Sequence, residues 1–173
     1  GGYPAMKRIV DTNVIVVTNG RSEQVSPACV MECARQLKAI TGGACTLVLD
    51  DAFHILREYR SNCSESGQPG LGDAFLKWVL TNWRDPRRCE CVHITQLGDD
   101  NTAFSEFPDD DSLAGFDPSD RKFVAVALAH PERPPILQAA DAKWWTYRDA
   151  LRAFGVEVLF LCGPDAAAFT GGA

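Results

Sequence analysis

The stretch Arg8-Ile9-Val10-Asp11-Thr12-Asn13-Val14 sets a short apolar run directly against an acidic residue. Lys7 to Val10 predicts a strand, and Asp11 then stands at its carboxyl end. The same pattern recurs along the chain. Cys45 to Leu49 predicts a second apolar strand, after which Asp50 caps a helix expected over 51–60. Cys89 to Ile94, Pro135 to Gln138 and Val156 to Leu161 read as three further strands. Between them, helices are expected from Ser26-Pro27 to Gly42, over 73–83, from Asp117-Pro118 to His130, and from Lys143 to Phe154. Apolar strands of this length alternating with helices predict an α/β fold: a parallel sheet of about five strands, covered on both faces.

Such a sheet places its sites at the carboxyl ends of its strands, which directs attention to a small set of acids. Asp141 follows the strand 135–138 after two alanines and reaches the same edge as Asp11. With Asp117 as N-cap and Pro118 as first helical residue, Asp120 falls in the first turn, aligned with the helix dipole. Glu58 lies on a helix whose apolar face is Ala52, Ile55, Leu56 and Tyr59, in a stripe with Asp51 and His54. Singly, each has an ordinary role as cap, first-turn acid or surface ion-pair partner. Jointly they are costly: two unit charges at 4 Å repel by about 4 kcal/mol at an effective dielectric near 20. A shared cation resolves the repulsion. Oxygen donors without His or Cys favour Mg2+ or Mn2+ over zinc, and such an ion activates water and neutralises a phosphoryl group.

Composition bounds the alternatives. The chain has 173 residues, 46% of them hydrophobic and 23% charged, which suits one globular domain and excludes a disordered chain. That domain is expected over residues 6–162, with 1–5 a cloning remnant and 163–173 a flexible tail. The longest apolar runs, such as Phe123 to Ala129, fall well short of the roughly 18 residues needed to cross a bilayer. Seven scattered cysteines cannot all pair within one chain, and none forms a Cys-x-x-Cys motif. Cys89 and Cys91, two apart in a strand, read as core thiols, and the set as a whole points to the reducing cytoplasm. A formal charge of −6 argues against a general polyanion binder, unless the carboxylates surround a cation.

At these acids the chain resembles the PIN-domain family of metal-dependent nucleases, over nearly all of Met6 to Leu161. Asp11-Thr12-Asn13 is similar to the family's first acidic motif, and Leu56-Arg57-Glu58-Tyr59-Arg60 to the segment carrying its helical glutamate. Asp117-Pro118-Ser119-Asp120-Arg121-Lys122-Phe123 resembles the third motif and Ala140-Asp141-Ala142-Lys143-Trp144 the fourth. The fourth departs from the family pattern, with alanines before Asp141 where Thr or Ser is common and Lys143 where an acid is common.

The resemblance implies a three-layer α/β/α sandwich, cleavage of single-stranded RNA, and a toxin role opposed by an antitoxin protein. On that reading Asp11, Glu58, Asp120 and Asp141 hold one or two Mg2+ or Mn2+ ions, and hydrolysis leaves a 5′-phosphate and a 3′-hydroxyl. Asn13 is expected to orient Asp11 or touch a phosphate oxygen, or else to serve as a helix cap. Arg121 and Lys143 are expected near the substrate. Trp144, Trp145 and Tyr147 could stack on bases but more often pack helices. The acidic segment 95–116 reads as a solvated loop around Asp109 to Asp111, or as a guard over the cleft. A homodimer is compatible with the pattern.

Two other functions compete. One is a PIN-like module that binds RNA or protein without appreciable cleavage. The other is an aspartyl phosphatase of the haloacid-dehalogenase type, which wants an acid where Asn13 stands.

Overall fold

A computed structural model describes residues 6–20 and 25–163; the expected remnant at 1–5 and all but the first residue of the tail expected at 163–173 lie outside the described residues. In chain order the elements are β1 (Met6–Val10), α1 (Thr12–Thr18), α2 (Pro27–Thr41), β2 (Cys45–Asp50), α3 (His54–Asn62), α4 (Leu71–Asn82), β3 (Cys89–Val92), β4 (Gln96–Leu97), β5 (Ala103–Phe104), α5 (Arg121–Ala129), β6 (Ile136–Gln138), α6 (Ala142–Thr146), α7 (Arg148–Ala153) and β7 (Val158–Phe160). Among the described residues no helix is long and apolar enough to cross a membrane.

The central sheet has five parallel strands in the order β3-β2-β1-β6-β7. The chain steps from β1 to β2 to β3, then returns across β1 to β6 and continues to β7. Right-handed crossovers on a path that reverses direction put its two halves on opposite faces. Accordingly α1, α2 and α4 pack together in one layer, while α5 packs on β1, β2 and β6 from the other. This is the expected α/β/α sandwich, and its direction reverses between β1 and β6. There the loops after two adjacent strands diverge and open a crevice. Every position of β2 is buried, and β1 is buried at Ile9 and Val10 where it approaches the crevice.

Local chemistry moves several boundaries. The segment Thr12–Thr18 is a helix, although its sequence, TNVIVVT, is rich in β-branched residues that favour strands. Asp11 starts it by accepting the Asn13 N–H at 2.9 Å, and burial of Val14, Ile15 and Val17 outweighs local propensity. Helix α1 also lies close against α4: a Cβ on Gly72 would sit 2.2 Å from the Ile15 carbonyl oxygen, so only glycine permits this approach. Asp50 does cap α3, accepting from the N–H groups of His54 and Ile55 at 2.9 Å each. The helix nevertheless starts at His54, not at 51, because Phe53 takes the left-handed conformation (φ 64°). The helix expected from 118 opens as a short 3₁₀ turn, Pro118–Asp120, and that expected over 143–154 breaks into α6 and α7 at Tyr147.

Within 95–116 the aspartates 109–111 are exposed, as a solvated loop requires. The rest is better ordered than its composition suggests. Strands β4 and β5 form a hairpin, and Phe104, Phe107, Leu113 and Phe116 enter the core.

Candidate functional site

The crevice at the sheet's turning point gathers acids from four elements. Asp11 follows β1 and is 4% exposed. Burial pushes its carboxyl well above the usual range, first by desolvation and next by the negative charge of Asp120; Glu58 adds to this. The Asn13 N–H opposes the shift, as does the buried Gln138 amide, which approaches without closing a hydrogen bond. Asp120 ends the 3₁₀ turn and stands at the N-cap position of α5 without a capping side-chain hydrogen bond. Desolvation, then Asp117, Asp141 and Glu58, push its carboxyl up to about 7. Asp141 caps α6 by accepting the Lys143 N–H at 2.9 Å. The four expected acids therefore share one electrostatic neighbourhood, yet they stop short of a closed ligand cage. Among the described residues, no three carboxylates bring one oxygen each within 4.8 Å of one another.

Glu58 reaches this neighbourhood because Tyr59 anchors α3. The fully buried Tyr59 hydroxyl donates to the Val10 carbonyl at 2.5 Å, one residue before Asp11. Burial first, then the charges of Asp11 and Glu58, hold this phenol well above its ordinary pKa, so it stays a donor. The Glu58 carboxylate accepts from Thr12 Oγ1 on one oxygen and from Lys122 Nζ, at 2.8 Å, on the other. Lys122 also donates to the Ser119 carbonyl and is 8% exposed. An ammonium group thus sits inside the acidic crevice as a built-in counter-charge.

The basic residues of the third and fourth motifs stand in different places. Arg121 does not face the acids: its guanidinium donates to the carbonyls of Phe116 and Ala114 at 3.0 Å and lies 4.6 Å from the centre of the Phe107 ring. It clamps the segment leading into the 3₁₀ turn. Lys143 pairs with Asp117 at 3.1 Å and remains mostly exposed at the rim. Its neighbour in the motif, Lys122, is the interior cation. One signal could have found it: three residues beyond Ser119 in a helical start, its amine can fold back to the freed Ser119 carbonyl while the stem is buried. Asn13 is not the cap of α1, which is Asp11; its backbone N–H holds the Asp11 carboxylate, and its side-chain oxygen accepts from the Ala140 N–H at 3.3 Å and ties the segment carrying Asp141 to α1.

The aromatics pack helices. Trp144 is fully buried against Phe116 and Phe123, Trp145 meets Phe160 under Arg148, and Tyr147 meets Phe116. A cleft of about 180 Å³ adjoins Glu58, lined by His54, Arg57, Ser61, Asn101 and Lys122. Burial lowers the His54 pKa, so the imidazole there is neutral at neutral pH.

The cysteines also differ from expectation. Cys89 is buried but Cys91 is exposed, because β3 is an edge strand whose later half lies at the rim. Cys29 of α2 and Cys162 after β7 form a disulfide, where scattered reduced thiols were expected. Burial pushes the neighbouring Cys33 thiol up to about 12.

Compared with protein-family models, curated proteins and solved structures, the chain matches none of them.

Proposed function

We propose that the chain is a divalent-metal-dependent endoribonuclease that hydrolyses phosphodiester bonds of single-stranded RNA. The observation that carries this reading is the gathering of acids from different elements at one crevice: the charge of Asp120 acts on the buried Asp11, and Asp141 and Glu58 act on the half-buried Asp120. A fold keeps such a group of acids at a crevice at the expense of stability, which points to a bound cation as its purpose. The donors are hard oxygens, suited to Mg2+ or Mn2+. Their spacing suits Mg2+ in a particular way: an ion that keeps several waters needs only one or two direct carboxylates, with the others reaching it through water. Asp11 and Asp120 would hold it directly, Asp141 and Glu58 from the next layer. Bound there, the cation supplies a water of lowered pKa and neutralises phosphoryl charge.

The chain's own groups do the rest. The Asn13 bridge to Ala140 fixes the distance between the segments after β1 and β6. The Tyr59 bond to Val10 holds α3, and with it Glu58, against the same edge. Lys122, already within the crevice, can turn from Glu58 toward a phosphate oxygen, and Lys143 at the rim meets the flanking backbone. RNA as substrate, the toxin role and an antitoxin partner rest on the resemblance of the acidic motifs, and the cytoplasm as compartment on the five cysteines that stay free beside the one disulfide. Cleavage of end-labelled single-stranded RNA with Mg2+, compared between wild type and Asp11→Asn, tests the activity; equal rates remove Asp11 from it.

A second reading has one observation in its favour. Lys122 already neutralises Glu58, as it would in a PIN-like module that binds RNA or protein without cutting. Failure to bind Mn2+ would select that module.

A further inference from the structure

We propose that Cys29, Cys33 and Cys162, when reduced, form a three-thiolate site for a soft divalent d10 cation of the Zn2+ class, separate from the carboxylate crevice. Three buried sulfurs meet here from two elements: Cys29 and Cys33 are four residues apart on one face of α2, and Cys162 follows β7. One ligand atom from each lies within 4.8 Å of the others. A disulfide uses two sulfurs and leaves the third unexplained. Yet Cys33 Sγ lies 3.9 Å from Cys162 Sγ. Thiolates sharing a tetrahedral metal with bonds of about 2.3 Å are about 3.8 Å apart, so this pair already stands at ligand spacing. Rotation of Cys29 about its own side-chain bonds completes the set.

The balance is simple. A dithiol reductant transfers two electrons and two protons to the Cys29–Cys162 bond and itself becomes a disulfide. The cation then displaces the three thiol protons, leaving one net negative charge where three free thiolates would leave three. Soft sulfur donors select this class of ion over Mg2+ or Mn2+, so the two sites would not compete. The site also bears on the acids. The Cys162 N–H donates to the Ala139 carbonyl at 3.2 Å, two residues before Asp141, so the triad braces that segment from behind.

The test uses the full chain with Cys91→Ser, which removes the exposed thiol as a competing ligand, fully reduced and titrated with Cd2+ as an optical probe. The expected result is one Cd2+ per chain with ultraviolet thiolate-to-metal charge transfer of three sulfurs. Cys33→Ser, which spares both disulfide partners, should weaken Cd2+ binding by on the order of 100-fold. Unchanged binding in Cys33→Ser, or no charge-transfer band, overturns the proposal. If the reduced chain unfolds, addition of Zn2+ should restore its near-ultraviolet circular dichroism; no recovery overturns it equally.

Discussion

Replacing Asp120 by Asn should stabilise the metal-free protein, although it removes a residue assigned to the site. Burial, then the neighbouring carboxylates, push the Asp120 carboxyl up to about 7, against 3.8 for the free group. At about 1.4 kcal/mol per pH unit, the ionised form costs on the order of 4 kcal/mol. The side chain keeps some contact with water, and screening leaves about half of that, about 2 kcal/mol. The sign follows from linkage. An acid whose pKa is raised by folding is held protonated by the native state, so stability falls as pH rises from about 4 to about 7, and the whole penalty is present above 7. Asn has no such penalty. Thermal melts in a metal chelator should therefore place Asp120→Asn above wild type at pH 8, by about 4–8 °C at the usual scaling for a domain of this size. At pH 4, where the wild-type carboxyl is protonated, the two should coincide. A variant that melts at or below wild type at pH 8 would refute the argument that Asp120 is held against its electrostatic preference.

Other outcomes follow from the same geometry. Saturating Mn2+ should raise the wild-type melting temperature, more at pH 8 than at pH 5, because at low pH protons compete for Asp11 and Asp120; calorimetric scans at both values check this. Lys122→Met removes the interior positive charge, so Mn2+ should bind severalfold more tightly while RNA cleavage falls, a split that titration calorimetry and single-turnover kinetics can resolve. Arg121→Ala should lower stability by about 1–3 kcal/mol through loss of its bonds to Phe116 and Ala114, with an RNA salt dependence equal to wild type in filter binding. Gly72→Ala should destabilise by more than about 2 kcal/mol in urea unfolding, since the new methyl meets the Ile15 backbone.

What is legible in the amino-acid sequence follows a physical division. The apolar runs ending at Val10, Leu49 and Gln138 announce a parallel sheet because strands buried on both faces must be apolar throughout. The acids after them announce the functional edge because strand ends in such a sheet face one way. Helix α1 was hidden, since its valines and isoleucine look like a strand and only packing against α4 decides otherwise. Arg121 and Lys122 are adjacent in sequence but point in different directions, and no charge pattern separates a loop clamp from an interior cation. The Cys29–Cys162 bond was equally invisible, because its partners, 133 positions apart in the sequence, are brought together only by the order of strands.

The central claim is that Asp11, Glu58, Asp120 and Asp141 share a hard divalent cation. Mn2+ binding followed by electron paramagnetic resonance tests it most directly, with no substrate needed. The account predicts saturable binding to the wild-type chain, lost in Asp11→Asn and in Asp120→Asn while both variants remain folded. Wild-type protein that leaves all Mn2+ free in solution, or variants that bind it as well as wild type does, would contradict the account.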